Sequence, residues 1–414
     1  HFAFLGPRAI AGGGAVEHPY RRLRLKRNPF EPAATDIPAD CPLWIPDGWR
    51  APLEEFIRRG RQMPGPKAFV IVGSYGSGKT YLLRWMEREL FPREQIRPFY
   101  IKNPGSRFYD LADRLFSQLG REELAKAIWE WARPHISGFQ PPWLESSFAG
   151  ILDALYRQKT TEEAIRAIAA RLLKNQITPD EEIAYQFGRL VIETTKKPYF
   201  SYRDFVAGTR GALVPERDEA LYFSAVIRIL QTIWGLEGVA FLIDEFEEVA
   251  MAIEDRRLTR REVMDYMATL RQLIDATANE PFWLALAMTP EAARITEDQK
   301  PDLWQRMTSQ GDYILRIPPL TPEEAEEILR RRLDCAREDQ AMKEIPDRLY
   351  PFPPGIGRIL REDVRSSPRR LIQLASHAIA KAVNNPSIEV PFQPDFLQGL
   401  EEELFPRRSR EEIE

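Results

Sequence analysis

Short apolar runs alternate with longer amphipathic stretches along most of the chain. Five of the apolar runs are short and bounded by glycine, proline or charged residues, which is the pattern of buried strands. They are Phe69–Val72, Gln95–Lys102, Gly238–Ile243, Pro281–Met288 and Tyr313–Leu320. A wholly apolar strand is buried on both faces, as in parallel sheets. The pattern therefore predicts an α/β fold in which helices flank a parallel sheet.

Two long regions have the periodicity of helices. Residues 106 to 236 carry apolar side chains at positions i, i+3, i+4 and i+7 almost throughout. Because this region is far longer than an ordinary crossover between strands, it predicts a helical insertion that forms a small subdomain of its own. The second region follows the last strand and begins at Thr321 with Pro322 at the first helical position. It predicts a C-terminal helical lid.

The chain is thus predicted to divide into an N-terminal arm at 1–43, a sheet domain at 44–319 that contains the insertion at 106–236, and the lid at 320–414. The arm is expected to have little regular structure, since it is rich in glycine and proline. Its segment Arg21–Arg27 holds five positive charges in seven residues. Such a run binds phosphate backbones or the acidic face of a neighbouring subunit, or is simply solvated, and the sequence leaves these alternatives open.

Composition limits the range of functions. The 58 basic and 62 acidic residues give a net charge of −4 and a pI near 5.9, so any DNA contact must be local rather than driven by a global positive field. The only cysteines, Cys41 and Cys335, are far apart in the sequence, which argues against a disulfide scaffold and a zinc ribbon and fits a reducing cytoplasm. No apolar run approaches the length of a membrane span. We therefore expect a cytoplasmic protein without a membrane anchor.

The first strand leads into a loop that has the sequence motif GxxxxGK[ST]. Glycines in such a loop let successive backbone amides face one concavity at the start of the following helix, where a polyphosphate binds. The expected nucleotide-binding residues are Gly73, Ser74, Tyr75, Gly76, Ser77, Gly78, Lys79, Thr80 and Tyr81. Lys79 would reach the β- and γ-phosphates, and the Thr80 hydroxyl would ligate Mg²⁺. The expected ligands are therefore ATP and Mg²⁺.

Two further strands end in polar residues that fit the same chemistry. Asp244 and Glu245 follow the strand Gly238–Ile243, where Asp244 would hold Mg²⁺ through water and Glu245 would orient or deprotonate an attacking water. The alternative is a solvated acidic turn. Thr289 follows the strand Pro281–Met288 and is placed to contact the γ-phosphate or its water, unless it merely ends the strand.

Taken in order, these motifs resemble the AAA+ ATPases. Gly73–Thr80 resembles Walker A, and Asp244 with Glu245 completes a Walker B strand. The resemblance implies that Thr289 is sensor 1, that Arg306 is the arginine finger, and that Arg369 is sensor 2. Where origin-recognition relatives carry Ser-Arg, this chain has Ser309 and Gln310, so an arginine acting on a neighbouring subunit would have to be Arg306. Arg369 is favoured over its neighbour Arg370 because it follows proline directly.

Within that superfamily the chain resembles the initiator clade, which includes origin-recognition-like ATPases and the P-loop ATPases of BREX-type phage-exclusion systems. The segments that carry this likeness are Leu270–Thr277, Leu303–Met307 and Ile314–Leu320. The resemblance implies an ATPase that forms a ring or filament through its nucleotide sites and acts on, or is recruited to, DNA in phage defence, replication or mobile-element contexts. It also implies partner proteins of the same system. The alternative is a nucleotide-dependent switch or scaffold that recruits proteins, hydrolyses ATP slowly and has no direct DNA role.

Overall fold

A five-stranded, all-parallel sheet lies at the centre of residues 45–318. The computed structural model describes residues 19–30, 41, 43–135, 161–193, 215–255, 257–308, 313–337, 342–343 and 345–406. They fall into two compact units. The sheet unit is Ile45–Pro318, and the helical unit combines His1–Trp44 with Pro319–Glu414. The predicted α/β class with a parallel sheet flanked by helices is confirmed.

The strands are arranged in the order β2-β3-β4-β1-β5. Their bounds are β1 Ala68–Val72, β2 Ile96–Ile101, β3 Gly238–Ile243, β4 Phe282–Met288 and β5 Ile314–Arg316. All five predicted strands are present, but β5 is shorter than predicted because Pro318 and Pro319 have no N–H to extend the ladder. In the paired register Val72 lies opposite Met288, and Ile243 lies opposite Ile101 and Leu286, so these strands end close to one edge.

Helices connect the strands and cover the sheet. The described helices of the sheet unit are α1 Asp47–Gln62, α2 Lys79–Trp85, α3 Phe108–Leu119, α4 Arg121–Ala132, α5 Thr161–Lys174, α6 Glu181–Glu193, α7 Pro215–Thr232, α8 Glu247–Ala250, α9 Arg260–Ala276, α10 Pro290–Gln299 and α11 Pro301–Thr308. Helix α2 continues through a π-helical turn at Met86–Leu90 and a last turn at Phe91–Arg93. Helix α1 contains Pro52 in its second turn and passes through Gly60 before it ends at Gln62.

The helices of the predicted insertion share one hydrophobic core with the sheet. Phe223 of α7 packs against Phe241 of β3 with ring centroids 5.9 Å apart, and against Phe108 of α3 at 5.2 Å. The buried side chains of α4, α5 and α6 belong to the same cluster. The described helices therefore do not form the separate subdomain that the sequence predicted. The amphipathic stretch near residues 148–158 lies outside the described residues.

The helical unit consists of five described helices and part of the N-terminal region. Its helices are α12 Pro322–Cys335, α13 Ile356–Ile359, α14 Glu362–Arg365, α15 Pro368–Asn384 and α16 Pro394–Leu404. Thr321 caps α12 as predicted, accepting a hydrogen bond from the Glu324 amide, while the Glu324 carboxylate accepts one from the Thr321 amide. The paired bonds satisfy two amides that the start of a helix would otherwise leave without partners.

The described part of the N-terminal arm is folded into the helical unit. Leu23, Leu25 and Phe30 are buried in the core of that unit, next to a 3₁₀ turn at Arg21–Leu23. The Arg22 guanidinium donates to the Ala382 carbonyl at 2.8 Å. The prediction of little regular structure is confirmed for residues 19–30, where the 3₁₀ turn is the one regular element. The sequence did not predict that their apolar side chains, which alternate with the charged ones, would be buried.

The two cysteines form a disulfide, contrary to the sequence prediction. Cys41 is joined to Cys335, which is the last residue of α12. Their separation of 294 residues is bridged because the N-terminal segment folds against the C-terminal helices, as in the hydrogen bond from the Lys26 amide to the Ala336 carbonyl. Cysteine usage therefore no longer supports a reducing compartment. Among the described helices, none combines the length and apolar character that a membrane span requires.

Candidate functional site

The predicted phosphate loop and the acidic turn meet at the carboxyl edge of the sheet. The end of β4 holds both of them. The Gly73 amide donates to the Met288 carbonyl at 3.1 Å, and the Phe246 amide donates to the Ala287 carbonyl at 3.0 Å. Ligands of open parallel sheets bind beyond the carboxyl ends of the strands, where neighbouring strands connect in different directions. Here β1 lies between β4 and β5, so neither neighbour is its sequential partner.

The loop backbone has the conformation that its glycines allow. Gly76 and Gly78 have positive φ angles of 78° and 103°, which residues with a side chain rarely adopt. At Gly73 a Cβ atom would lie 2.3 Å from the Ser77 Oγ and 3.2 Å from the Ser77 Cβ, so Ser77 would have to shift to admit any other residue. The Ser77 Oγ is buried and has no hydrogen-bond partner within the described part of the chain. The loop is therefore a tight cradle with a polar atom left for a ligand.

Lys79, the first residue of α2, points back into this loop. Its ammonium donates to the Gly73 carbonyl at 2.8 Å and to the Ser74 carbonyl at 3.3 Å. It also lies 4.0 Å from the Glu247 Oε1 and 5.4 Å from the centre of the Tyr75 ring. Burial lowers the pKa of Lys79, and the nearby carboxylates oppose this shift. The loop thus already holds the cation that the sequence assigned to the phosphates.

Asp244 is buried and held by two hydrogen bonds. Its Oδ1 accepts from the Glu245 amide at 2.9 Å, and its Oδ2 accepts from the Tyr100 hydroxyl at 2.9 Å. The guanidinium of Arg84, on α2, lies 3.5 Å from the centre of the Tyr100 ring. Burial and the Asp244 charge raise the pKa of Tyr100, which stays a neutral donor. Contacts therefore run from the helix after the phosphate loop, through β2, to the carboxylate after β3.

Glu245 has a backbone conformation that costs energy. Its φ of 54° lies in the left-handed region, which a residue with a side chain occupies at a cost of about 1–3 kcal/mol. Burial, and next to it the charge of Asp244, raise the pKa of Glu245. Such a carboxylate accepts a proton more readily than an exposed one does. Strain and a raised pKa in one residue are typical of functional sites.

Glu247 is a third carboxylate in the same turn, and its sequence pattern alone did not predict a role in the site. It begins the short helix α8, and only 6% of the residue is exposed. One of its oxygens faces Lys79, whereas the other, Oε2, is buried and has no hydrogen-bond partner within the described part of the chain. Burial raises the pKa of Glu247. The signal in the sequence was a third acid within four residues after β3.

The remaining loop residues surround the cradle. Tyr75 is the most exposed of them at 74%, Ser74 is also exposed, and Thr80 and Tyr81 are partly exposed on the first turn of α2. Among the described residues no group of three or more His, Cys, Asp or Glu side chains is placed to hold a metal ion. Mg²⁺ in nucleotide sites is held by one or two protein ligands together with phosphates and water, and Thr80 with Asp244 fits that donor set.

The other predicted site residues have different surroundings. Thr289 is buried and caps α10, where its hydroxyl accepts from the Ala292 amide at 3.2 Å. Arg306, on α11, forms an ion pair with Asp275 of α9 at 3.0 Å, and 48% of its side chain is exposed. Arg369 is exposed at the second position of α15, in the helical unit. The sheet unit therefore brings together the phosphate loop, the acidic turn and Thr289, while Arg306 is paired elsewhere on its surface.

Two residues that support the site, Tyr100 and Arg84, were missed because their roles depend on the pairing of β2 with β3, which the sequence does not reveal. Neither a protein-family model nor a curated protein matches the chain. The function is therefore inferred from the geometry of the carboxyl edge and from the motifs in the sequence.

Proposed function

We propose that the chain binds a nucleoside triphosphate, ATP in the first place, with Mg²⁺ at the carboxyl edge of the sheet and hydrolyses it. The observation that carries this proposal is the distance of 4.0 Å between the Lys79 ammonium and the acidic turn at Glu247. Lys79 is the first residue of α2, directly after the loop of residues 73–78 that follows β1. A solvated acidic turn, the alternative interpretation of the sequence, would not be buried against the lysine of a phosphate loop.

Each part of the site has a chemical task in this proposal. The glycine-rich backbone and Lys79 bind the phosphate oxygens, since amides and an ammonium provide donors and positive charge. Thr80 and Asp244 hold Mg²⁺, and bound Mg²⁺ neutralises charge on the phosphates. Glu245 orients the attacking water and accepts its proton, for which its raised pKa is suited.

The position of β4 supports the finer assignment to an AAA+-type P-loop ATPase. Because β4 lies between β1 and β3, Thr289 follows a strand that separates the phosphate loop from the carboxylates. This is the place from which a hydroxyl contacts the γ-phosphate or the attacking water. As a helix cap, Thr289 is also held rigidly, so its hydroxyl oxygen occupies a fixed position.

We extend the proposal to a homo-oligomer in which Arg306 completes the site of a neighbouring subunit. Half of its side chain is exposed, and its partner Asp275 also lies on the surface. A surface ion pair of this kind contributes about 0–1 kcal/mol, so Arg306 can exchange Asp275 for a phosphate at small cost.

Turnover of ATP with Mg²⁺ tests the proposal. Wild-type protein is expected to hydrolyse ATP, and Glu245→Gln is expected to bind it but to lose at least about a hundredfold in rate, as for other general bases. Glu248→Gln is the matched control, because Glu248 pairs with Arg257. The result that contradicts the proposal is a Glu245→Gln protein with wild-type turnover. Addition of duplex DNA separates an ATPase that acts on DNA from a nucleotide-dependent switch, since DNA is expected to stimulate turnover only in the first case.

A further inference from the structure

Lys79 and Glu247 form a buried pair of opposite charges whose interaction does not fully offset the loss of hydration. The side chains of both residues are only 8% exposed, and their charged atoms are 4.0 Å apart. This distance is at the limit of an ion pair and beyond that of a hydrogen bond. The Glu247 Oε2 has no partner among the described residues. Burial lowers the pKa of Lys79 and raises the pKa of Glu247, so it favours the neutral form of each group.

We propose that Glu247 competes with the triphosphate for Lys79 and thereby lowers the affinity of the site for nucleotide. This inference rests on the proposed function, because it assigns a regulatory role to a residue of the same site. The competition follows from the geometry, since Lys79 now donates to two loop carbonyls and faces Glu247. To reach phosphate oxygens, its ammonium has to leave these partners.

The cost of that movement falls on Glu247. Once the ammonium has turned to the phosphates, the Glu247 carboxylate remains buried without a counterion and next to new negative charge. Asp244 and Glu245 lie on the same turn and add to the repulsion. A buried carboxylate that loses the cation beside it is strongly destabilised. Glu247 therefore opposes nucleotide binding. Asp244 and Glu245 differ from it, because the proposed function assigns Mg²⁺ binding to the first and activation of water to the second.

A role in holding the loop together would have the opposite consequence. If Glu247 served only to keep Lys79 in place, its neutralisation would loosen the loop and weaken nucleotide binding. If it competes, its neutralisation removes the competitor and strengthens binding. The sign of the change in affinity therefore distinguishes the two roles.

The test is the equilibrium affinity for MgATP, measured by calorimetric titration on the full chain. Glu247→Gln keeps the shape of the side chain and removes its charge, and it is expected to bind at least about tenfold more tightly than wild type, the effect of one pKa unit of differential interaction. The gain should persist with inorganic tripolyphosphate as the ligand, because Lys79 would contact phosphate and not the nucleoside. Glu248→Gln is the control, since Glu248 is partly exposed and pairs with Arg257, and it should leave the affinity unchanged.

The outcomes separate this inference from the proposed function. If wild type binds MgATP and Glu247→Gln binds equally or more weakly, the inference is overturned and the proposed function stands. If neither protein binds MgATP or tripolyphosphate, the proposed function itself fails. Should Glu247→Gln not fold, as judged by circular dichroism, Glu247→Leu provides the same comparison with an apolar side chain of similar length.

Discussion

At the scale of single residues, the position of Asp244 depends on a hydroxyl from another strand. Tyr100 donates to its Oδ2 at 2.9 Å inside the protein, where water does not replace a lost donor. The ring is fixed in turn by the guanidinium of Arg84 at 3.5 Å. We infer that Tyr100 is a positioning residue for the carboxylate that is proposed to hold Mg²⁺.

Tyr100→Phe tests this role. Loss of the hydroxyl leaves a buried carboxylate oxygen without its donor, which is expected to lower the free energy of unfolding by about 1–3 kcal/mol. The Mg²⁺ concentration for half-maximal turnover is expected to rise, because Asp244 is then less well oriented. Tyr185→Phe is the matched control, since its hydroxyl donates at 2.9 Å to an exposed Glu162. Denaturant unfolding and a Mg²⁺ titration measure the two effects, and an unchanged Mg²⁺ requirement would contradict the role.

The raised pKa of Glu247 also predicts how stability depends on pH. A carboxyl group with a higher pKa in the folded state binds its proton more tightly there, so it favours folding at low pH. That contribution is lost as the pH rises from the ordinary glutamate value of about 4.3 through the raised value. Lys79, Asp244 and Glu245 face the group, and the charge of Lys79 opposes the upward shift whereas the two carboxylates add to it.

Glu247→Gln is therefore expected to gain stability relative to wild type as the pH rises from 4 to about 7. Unfolding by denaturant at several pH values measures this difference. Glu248→Gln, at a position that is partly exposed, should show no such trend. If the difference in the free energy of unfolding between Glu247→Gln and wild type stays constant with pH, the pKa of Glu247 is not raised in the folded protein.

At the scale of elements, α1 is fitted closely against the sheet at one glycine. A Cβ atom at Gly60 would lie 2.6 Å from the buried Trp283 Nε1 on β4. Gly48, in the first turn of the same helix, has no atom within 4 Å of such a Cβ. The close contact explains why this position of α1 carries glycine.

Gly60→Ala is expected to lower the free energy of unfolding by about 1–3 kcal/mol, because the indole has to shift in a packed core. Gly48→Ala should be neutral or stabilising by up to about 1 kcal/mol, since alanine is the better helix former. Thermal and denaturant unfolding of the two variants provide the comparison. Equal effects at both positions would show that helix propensity, and not the contact with Trp283, decides the outcome.

The strands were predictable because each is a short apolar run that ends at a turn or a carboxylate. The tight loop after β1 was predictable because its glycines allow the positive φ angles found at Gly76 and Gly78. Long-range contacts were not predictable. Nothing local in Cys41 or in the segment Arg21–Phe30 indicates burial against helices about 300 residues later. The same applies to Tyr100, whose role requires β2 to pair with β3. The sequence shows that Glu247 is an acidic residue, but it does not show that the side chain faces Lys79.

At the scale of the whole molecule, the proposed oligomer depends on Arg306. Arg306→Ala is expected to reduce turnover per subunit by about a thousandfold or more, as for other arginines that act on a neighbouring phosphoryl group, while MgATP binding stays intact. Arg271→Ala is the control from the same surface cluster, since Arg271 also pairs with Asp275 and with Asp302. Light scattering with a non-hydrolysable ATP analogue measures assembly. Unchanged turnover in Arg306→Ala would refute the shared site.

The proposed function requires that a triphosphate binds against the loop that contains Lys79. Calorimetric titration of the intact protein with MgATP tests this most directly, alongside Lys79→Ala and, as a control, Lys126→Ala on the exposed face of α4. We expect saturable binding at one site per chain for wild type and Lys126→Ala, and a loss of at least about tenfold in affinity for Lys79→Ala. Absence of binding in the wild type, or wild-type affinity in Lys79→Ala, would contradict the account.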